Sequence, residues 1–305
     1  MSPKKPLVVV ATEVAEALRE GQGVVALEST LIAQGLPWPE NLQTALASEE
    51  AVRKSGSVPA TIAVIDGEIR VGLTNALLEW MAAGATPIVK AGRRDLGVVT
   101  ATGVDAATTV SATLRIARNA GIGVMATGGL GGVHRNWPET FDISNDLDEL
   151  ARADGSVVVC SGVKSILDIG ATLEVLETRG VAVIGYQTGV FPAFLTRSSG
   201  FPLECRVETA SAFATIVAAH RALNLPGALI LAQPAPESVA LQEGPFEDAL
   251  NKALDEAREK KITGKAVTPF LLGRIRDATA GKSLAANTAL IVANAGLAGE
   301  VAAAL

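Results

Sequence analysis

The chain is poor in the residues that most often announce a chemistry. It has two cysteines, Cys160 and Cys205, in 305 residues. That is too few for a disulfide framework or a sulfur-ligated zinc site, and Cys160 ends an apolar run, so both read as reduced, structural thiols. Histidine is as scarce, with His134 and His220 the two present. Neither a nucleophile elbow nor a pair of metal-binding histidines occurs, which removes most of the support for serine-hydrolase and zinc-enzyme readings. His220 falls in an Ala-rich helical pattern and reads as structural, whereas His134, in a glycine-rich loop, could touch a ligand.

Positive charge is also short. The net charge is -6 and no block of Lys and Arg exists, which argues against binding nucleic acid or an anionic membrane through bulk electrostatics. An anion would have to be held by local basic groups. The opening stretch MSPKKPLVVVATEVAEALREG has only a brief apolar run with acidic residues after it. It fits neither a signal peptide nor a transmembrane helix, and a cytoplasmic chain is expected. No Pro/Gly/Ser-rich linker and no fixed-period repeat divides the sequence, so one domain over residues 1–305 is expected.

What the chain has is apolar patterning: 49% of its residues are hydrophobic. Short apolar runs, among them VVALE (24–28), TIAVID (61–66), IRVGL (69–73), PIVKA (87–91), GVMAT (123–127), SVVVC (156–160), VAVIGY (181–186) and ALILA (228–232), alternate with helical stretches. The latter include ENLQTALASEEAVRKSG, AATTVSATLRIARNAG, SILDIGATLEVLETRG, SAFATIVAAHRAL and FEDALNKALDEAREKK, with two more helices from about residue 268. This alternation predicts an α/β fold, a three-layer α/β/α arrangement around a mixed, largely parallel central sheet. Asp66-Gly67 between two apolar runs predicts a hairpin, which makes the sheet mixed.

Two glycine motifs mislead. Gly128-Gly129-Leu130-Gly131-Gly132 suggests a dinucleotide loop, but His134 stands where the third glycine belongs and HRNWPETFDI does not open a helix. Ala280-Gly281-Lys282-Ser283 mimics the end of a P-loop, but Arg276 occupies the first glycine position and no strand precedes it; a turn between helices is expected.

The informative positions are polar residues directly after apolar runs, because ligands of open α/β sheets gather beyond the carboxyl ends of strands. Glu28 ends VVALE, and desolvation there would favour a protonated carboxyl able to donate; pairing with Ser29 and Thr30 at the surface would explain it equally. Lys90, close to Arg93 and Arg94, offers a cationic cluster for a phosphate, or else a solvated turn with Asp95. In FDISNDLDEL, Ser144 or Asn145 could cap a helix whose N-terminus receives a phosphate, and Asp142 with Asp146 could hold a hard divalent cation. Lys164, in VVVCSGVKSILD, follows a buried strand and precedes a helical pattern. Burial and a helix N-terminus both disfavour the ammonium form, leaving the neutral amine that Schiff-base chemistry needs. Asn287, in SLAANTALIVANA, is an amide on an apolar helix that must bond backbone or reach a ligand.

Together these stretches, ALESTLIAQGLPWPENL, VKAGRRDLG, GVMATGGLGGVHR, FDISNDL, VVCSGVKSILDIG and SLAANTALIVANA among them, resemble the pseudouridine-5'-phosphate glycosidase family, also called indigoidine synthase A-like. The resemblance spans nearly the whole chain. It implies reversible cleavage of the carbon-carbon glycosidic bond of pseudouridine 5'-phosphate to uracil and ribose 5-phosphate, through a lysine Schiff base with open-chain ribose. It implies Lys164 as nucleophile and Glu28 as proton donor, with Lys90, Val110 and Ser144 to Asp146 as substrate-binding positions. It further implies Asp142 as ligand of a divalent metal, commonly Mn2+, Asn287 lining the site, and a homotrimer. Asp146 is a second candidate proton handler or hydroxyl ligand. Asn136 to Glu139 match no motif of the family. Alternatives from the residues alone are a related phosphosugar lyase and a non-catalytic phosphosugar-binding protein.

Overall fold

The structure, a computed structural model, describes residues 7–135, 137–262 and 267–305. Asn136 therefore lies outside the described residues. Thirteen strands are present among them: β1 (Val8–Val10), β2 (Val24–Leu27), β3 (Val58–Ile65), β4 (Glu68–Val71), β5 (Val89–Ala91), β6 (Ala106–Thr108), β7 (Val124–Ala126), β8 (Val133–His134), β9 (Val157–Cys160), β10 (Leu167–Asp168), β11 (Ala182–Tyr186), β12 (Arg206–Val207) and β13 (Leu229–Ala232). Eleven form one sheet whose main path runs β1-β4-β3-β2-β7-β9-β13-β11-β12, with β6 branching from β3 and β5 pairing β6. From β3 through β2 to β12 every pairing is parallel. The exceptions are β3 with β4 and β3 with β6, both antiparallel. Asp66 and Gly67 make the expected hairpin, each at positive φ (50° and 72°), as a tight turn with the right twist requires.

Strand residues are buried on both faces, which is why the strands read as continuous apolar runs rather than alternating ones. Ala26, Met125, Val158 and Ile230 share one core with Leu114 of the helix Val110–Asn119 and Leu150 of the helix Asn145–Arg152. Val25, Val124, Val159 and Leu231 share the other with Val52, Phe213 and Val301, from the helices Glu40–Lys54, Ala210–Ala222 and Lys282–Ala304. The sheet is thus sandwiched between two helical layers, as its sequence pattern predicts.

Two expected helices start later than predicted. Ala106 to Thr108, at the head of the predicted AATTVSATLRIARNAG helix, instead supply strand β6, and the helix begins at Val110. SILDIG does not open a helix at Ser165: β10 pairs antiparallel with β8, and Asp168 then caps a helix over Ile169–Thr178, its side chain accepting from Ala171 N at 2.9 Å. The expected turn falls at Thr279 to Gly281, between the helices Val267–Ala278 and Lys282–Ala304, with Gly281 at φ 81° and Lys282 and Ser283 already in the second helix. His220 is buried in its helix, as expected of a structural residue.

Candidate active site

Because β2, β7 and β9 are adjacent and parallel, their carboxyl ends deliver Glu28, Thr127 and the Ser161–Lys164 segment to one edge of the sheet. The β7–β9 ladder continues beyond the strands themselves. Ser161 N donates to Gly128 O at 2.9 Å, Leu130 N to Gly162 O at 2.9 Å, and Lys164 N to Leu130 O at 3.1 Å. Lys164 is therefore fixed by backbone pairing to the glycine-rich loop. Gly162, at φ 84°, makes the bend, and a Cβ there would run into Pro192 O.

This corrects one expectation. Lys164 does not lie at a helix N-terminus: the helix Ile169–Thr178 begins five residues later and its first turn is capped by Asp168. What surrounds Lys164 is instead the buried run Ser161 to Val163 and Ser165 to Leu167.

Glu28 is 5% exposed, and its carboxylate accepts short hydrogen bonds from Thr30 Oγ1 on one oxygen and Thr127 Oγ1 on the other. Thr127 ends the apolar run GVMAT just as Glu28 ends VVALE, so the strand-end rule that singles out Glu28 also marks Thr127.

Glu28, Thr30, Lys90 and Lys164 line two cavities at once. One, of about 400 Å³, is polar and adds Gly92, Arg94, Ser111, His134, Asp142, Ser144, Asn145 and Asp146. The other, of about 520 Å³, is apolar apart from those four residues, Gln34 and Asn287. Lys90 reaches both from β5, beside the turn carrying Arg93 and Arg94.

Ser144 caps the helix Asn145–Arg152, its hydroxyl accepting from Asp146 N at 3.2 Å. Asn145 Oδ1 and Asn287 Oδ1 are both buried without a hydrogen-bond partner. Each lines a cavity, and an orphaned buried amide oxygen is an acceptor awaiting a donor. Asp146 differs from expectation: Oδ1 accepts from Ser111 N at 2.9 Å and Oδ2 from Gly131 N at 3.0 Å. Its carboxylate is engaged on both oxygens with backbone donors, tying the glycine-rich loop to the start of the helix Val110–Asn119. That contact explains Gly131, since a Cβ there would collide with Ser144 and Asp146. Val110 does not bring a side chain to the site. It is 1% exposed and packed in the core, while its neighbours Thr109 and Ser111 border the polar cavity.

His134 Nε2 lies 3.7 Å from Asp142 Oδ2. Burial holds the imidazole below its usual range; Asp142 opposes that shift while Lys90 and Lys164 add to it. Cys160, at the end of β9, is pushed up to about 12 by burial, so it stays a thiol and does not compete with Lys164 as a nucleophile. Both cysteines are free. Among the described residues no group of three or more His, Cys, Asp or Glu could hold a metal. Asp146 being engaged, Asp142 is the carboxylate left to face an ion. That donor set fits only a water-rich site completed by substrate, the way small hard divalent cations bind.

Sequence reasoning passed over Asn294, which is fully buried on the helix Lys282–Ala304. Its Nδ2 donates to Thr127 O at 2.9 Å and to Ser161 Oγ at 3.1 Å, bridging the strand ends that carry both reactive groups. Two turns separate it from Asn287 on the same apolar helix, and a second amide there was the available signal. Arg93, a possible phosphate ligand by sequence, is instead paired with Asp148 at 2.5 Å and Glu149 at 3.1 Å.

The sequence profile of the indigoidine synthase A-like proteins matches residues 13–304. A protein of Caldanaerobacter subterraneus subsp. tengcongensis named pseudouridine-5'-phosphate glycosidase is 51% identical over 290 residues, 95% of this chain and 94% of its own. A protein of the same name from Clostridium botulinum is 47% identical, covering 96% of this chain and 95% of its own. Among solved structures, the prealnumycin C-glycosynthase AlnA in complex with ribulose 5-phosphate superposes with a TM-score of 0.90 at 40% identity, covering 99% of this chain and 97% of its own. An indigoidine synthase A-like protein from Thermotoga maritima superposes with a TM-score of 0.87 at 35% identity, covering 99% and 98%.

Proposed function

The chain belongs to the indigoidine synthase A-like family, and from that premise we propose that it is an enzyme that reversibly cleaves pseudouridine 5'-phosphate to uracil and ribose 5-phosphate. The observation that carries this reading is the position of Lys164 and Glu28 at the junction of a polar and an apolar cavity. A phosphosugar suits the first and a base the second, so the bond between them lies across the two reactive side chains.

Uracil is joined to this sugar through carbon, a far poorer leaving group than the oxygen or nitrogen that a carboxylic acid protonates in ordinary glycosides. As the ribose ring opens, the C1'–O4' bond breaks and O4' takes a proton, while the Lys164 amine bonds to C1' and gives up one. Nitrogen then supplies the electrons that the departing sugar-base bond requires. Glu28, held by Thr30 and Thr127, hands its proton to the uracil carbon as that bond breaks. Water hydrolyses the remaining imine, releases ribose 5-phosphate and restores Lys164.

Lys90, the start of the helix Val110–Asn119, the Ser144 to Asp146 turn and His134 surround the phosphosugar; Asn287 faces the base. A divalent ion, Mn2+ in this proposal, would be held at Asp142 with waters, and would partly neutralise the phosphate. A homotrimer working in the cytoplasm completes the reading.

The test is reduction with borohydride in the presence of ribose 5-phosphate. A sugar-phosphate mass on the peptide carrying Lys164, lost in Lys164→Ala, is expected; a folded protein that takes no label removes the covalent mechanism. Consumption of pseudouridine 5'-phosphate but not uridine 5'-phosphate separates this activity from other phosphosugar chemistry.

A further inference from the structure

Two side chains that line the apolar chamber carry buried acceptors for which the described residues supply no donor. Gln34 lies on the single π-helical turn Leu31–Gly35, which Leu36 N closes by donating to Leu31 O at 3.1 Å. Its Nε2 donates to Ile88 O at 2.8 Å, just ahead of the strand that carries Lys90. That bond fixes which end of the carboxamide is nitrogen, and Oε1 is left buried and unpaired. Asn287, on the helix Lys282–Ala304, leaves Oδ1 in the same state. Both residues border the chamber of about 520 Å³ and also a smaller one of about 220 Å³ that continues from it. Glu28 and Lys164 border the larger chamber but not its continuation. The two amides therefore stand at the end of the chamber away from the reacting bond, between the hydrocarbon of Leu36 and Leu272.

A uracil joined to its sugar through carbon turns a distinctive edge toward that end. With ring atom C5 at Lys164 and Glu28, the opposite atom is C2, and it is flanked by N1–H and N3–H. Two donors thus point to where two acceptors lack one. A uracil joined through nitrogen places C4 opposite the sugar, flanked by N3–H and C5–H, and supplies one donor where two are needed. We propose that Gln34 and Asn287 read the two N–H groups of the carbon-linked base, and that Gln34 is thereby a specificity-determining residue that favours pseudouridine 5'-phosphate over nitrogen-linked pyrimidine nucleotides. The proposal rests on the reading of Lys164 and Glu28 given above. The terminal torsions of Asn and Gln side chains are broad, so each oxygen can turn to its donor, and Gln34 can do so while Nε2 keeps Ile88 O. The C2 carbonyl between the two N–H groups opens on the continuation, which Ser283 and Arg276 border. A buried acceptor that meets N–H gains a bond that the protein alone does not give it. One that meets C–H or a methyl group stays unpaired, and sites built on such bonds discriminate strongly.

The experiment measures kcat/KM for cleavage of pseudouridine 5'-phosphate and of its N1-methyl and N3-methyl derivatives by the full chain, by Gln34→Met and by Asn287→Leu. In the native protein each methyl group should lower kcat/KM by about tenfold or more, the scale set by an unpaired buried acceptor. Each variant should lose activity on the parent nucleotide and most of the penalty for one methyl position, a different position for each, so that the ratio of parent to that derivative shifts by about tenfold. A Gln34 that only holds Ile88 O would lower all three substrates by one factor, and that result would overturn the proposal. Native rates indifferent to both methyl groups would overturn it too. Should Gln34→Met not fold, Asn287→Leu still decides, because undiminished sensitivity at both positions contradicts the pairing. Cleavage of the parent nucleotide with unchanged ratios refutes this assignment and leaves the site reading intact. Absence of cleavage together with no borohydride label on Lys164 removes both.

Discussion

Asn294 Nδ2 donates to the backbone carbonyl of Thr127 at 2.9 Å, and the hydroxyl of Thr127 donates to Glu28. A side chain on the last helix thereby governs the angle at which the proposed proton donor meets the cavity. The same amide reaches Ser161, three residues before Lys164. Asn294→Ala should cost about 1–3 kcal/mol in denaturant unfolding, because Thr127 O and Ser161 Oγ lose a buried partner. A merely structural residue would stop there. If Asn294 positions the two reactive groups, turnover of the folded variant falls while KM for the phosphosugar changes little.

Glu28 and Lys164 act at different steps in the proposed chemistry, and that makes them separable. Glu28→Gln keeps one oxygen to accept from Thr30 or Thr127, the other hydroxyl turning to accept from the new amide, but removes the proton to be donated. Glycosidic cleavage should fall by about 10²–10⁴, the usual scale of general acid-base assistance. Labelling of Lys164 by ribose 5-phosphate and borohydride should persist, since adding the amine to a free aldehyde does not break the carbon-carbon bond. Joint loss of cleavage and labelling would assign Glu28 an earlier role.

Strand ends were legible in the sequence and their partners were not. Glu28, Lys164 and Asn287 announce themselves because each interrupts an apolar run, and each does border a cavity. Thr127 obeys the same rule but is an unremarkable threonine until a carboxylate is placed beside it. Asp146 carries no local sign that its oxygens meet Ser111 and Gly131, which are 35 and 15 residues away in sequence. The late helix start after Lys164 was hidden because Leu167 and Asp168 fit a helical period as well as the short strand they form against β8. Tertiary pairing decided what local periodicity left open.

Asp146 offers a test of scaffolding. Asp146→Asn preserves size but turns one oxygen into an amide that meets a backbone N–H head-on, at either Ser111 or Gly131. One buried donor is left unsatisfied, at a cost of about 1–3 kcal/mol. The glycine-rich loop and the start of the helix Val110–Asn119 should then separate, and because both border the polar cavity, KM for the phosphosugar should rise. Unfolding by denaturant and steady-state kinetics on the same preparation read the two effects.

Glu49 gives a pH signature independent of catalysis. It is a buried carboxyl on the helix Glu40–Lys54, accepting from Thr61 Oγ1 at 2.6 Å. Burial raises it above its ordinary value of 4.5, with Thr61 and Arg53 opposing part of that shift. The folded state therefore binds this proton more tightly than the unfolded chain does, and stability falls as pH rises when the unfolded state holds fewer protons. The stability that Glu49 contributes is complete below the unfolded value and is lost as pH climbs from there through the raised folded value. Glu49→Gln removes the charge and keeps an oxygen for Thr61. It should raise the unfolding free energy near neutral pH by about 1 kcal/mol, the common scale of a single substitution, and change it little in acid. Denaturant curves for both proteins across that range should diverge as pH rises, and parallel curves would show that Glu49 carries no charge penalty in the fold.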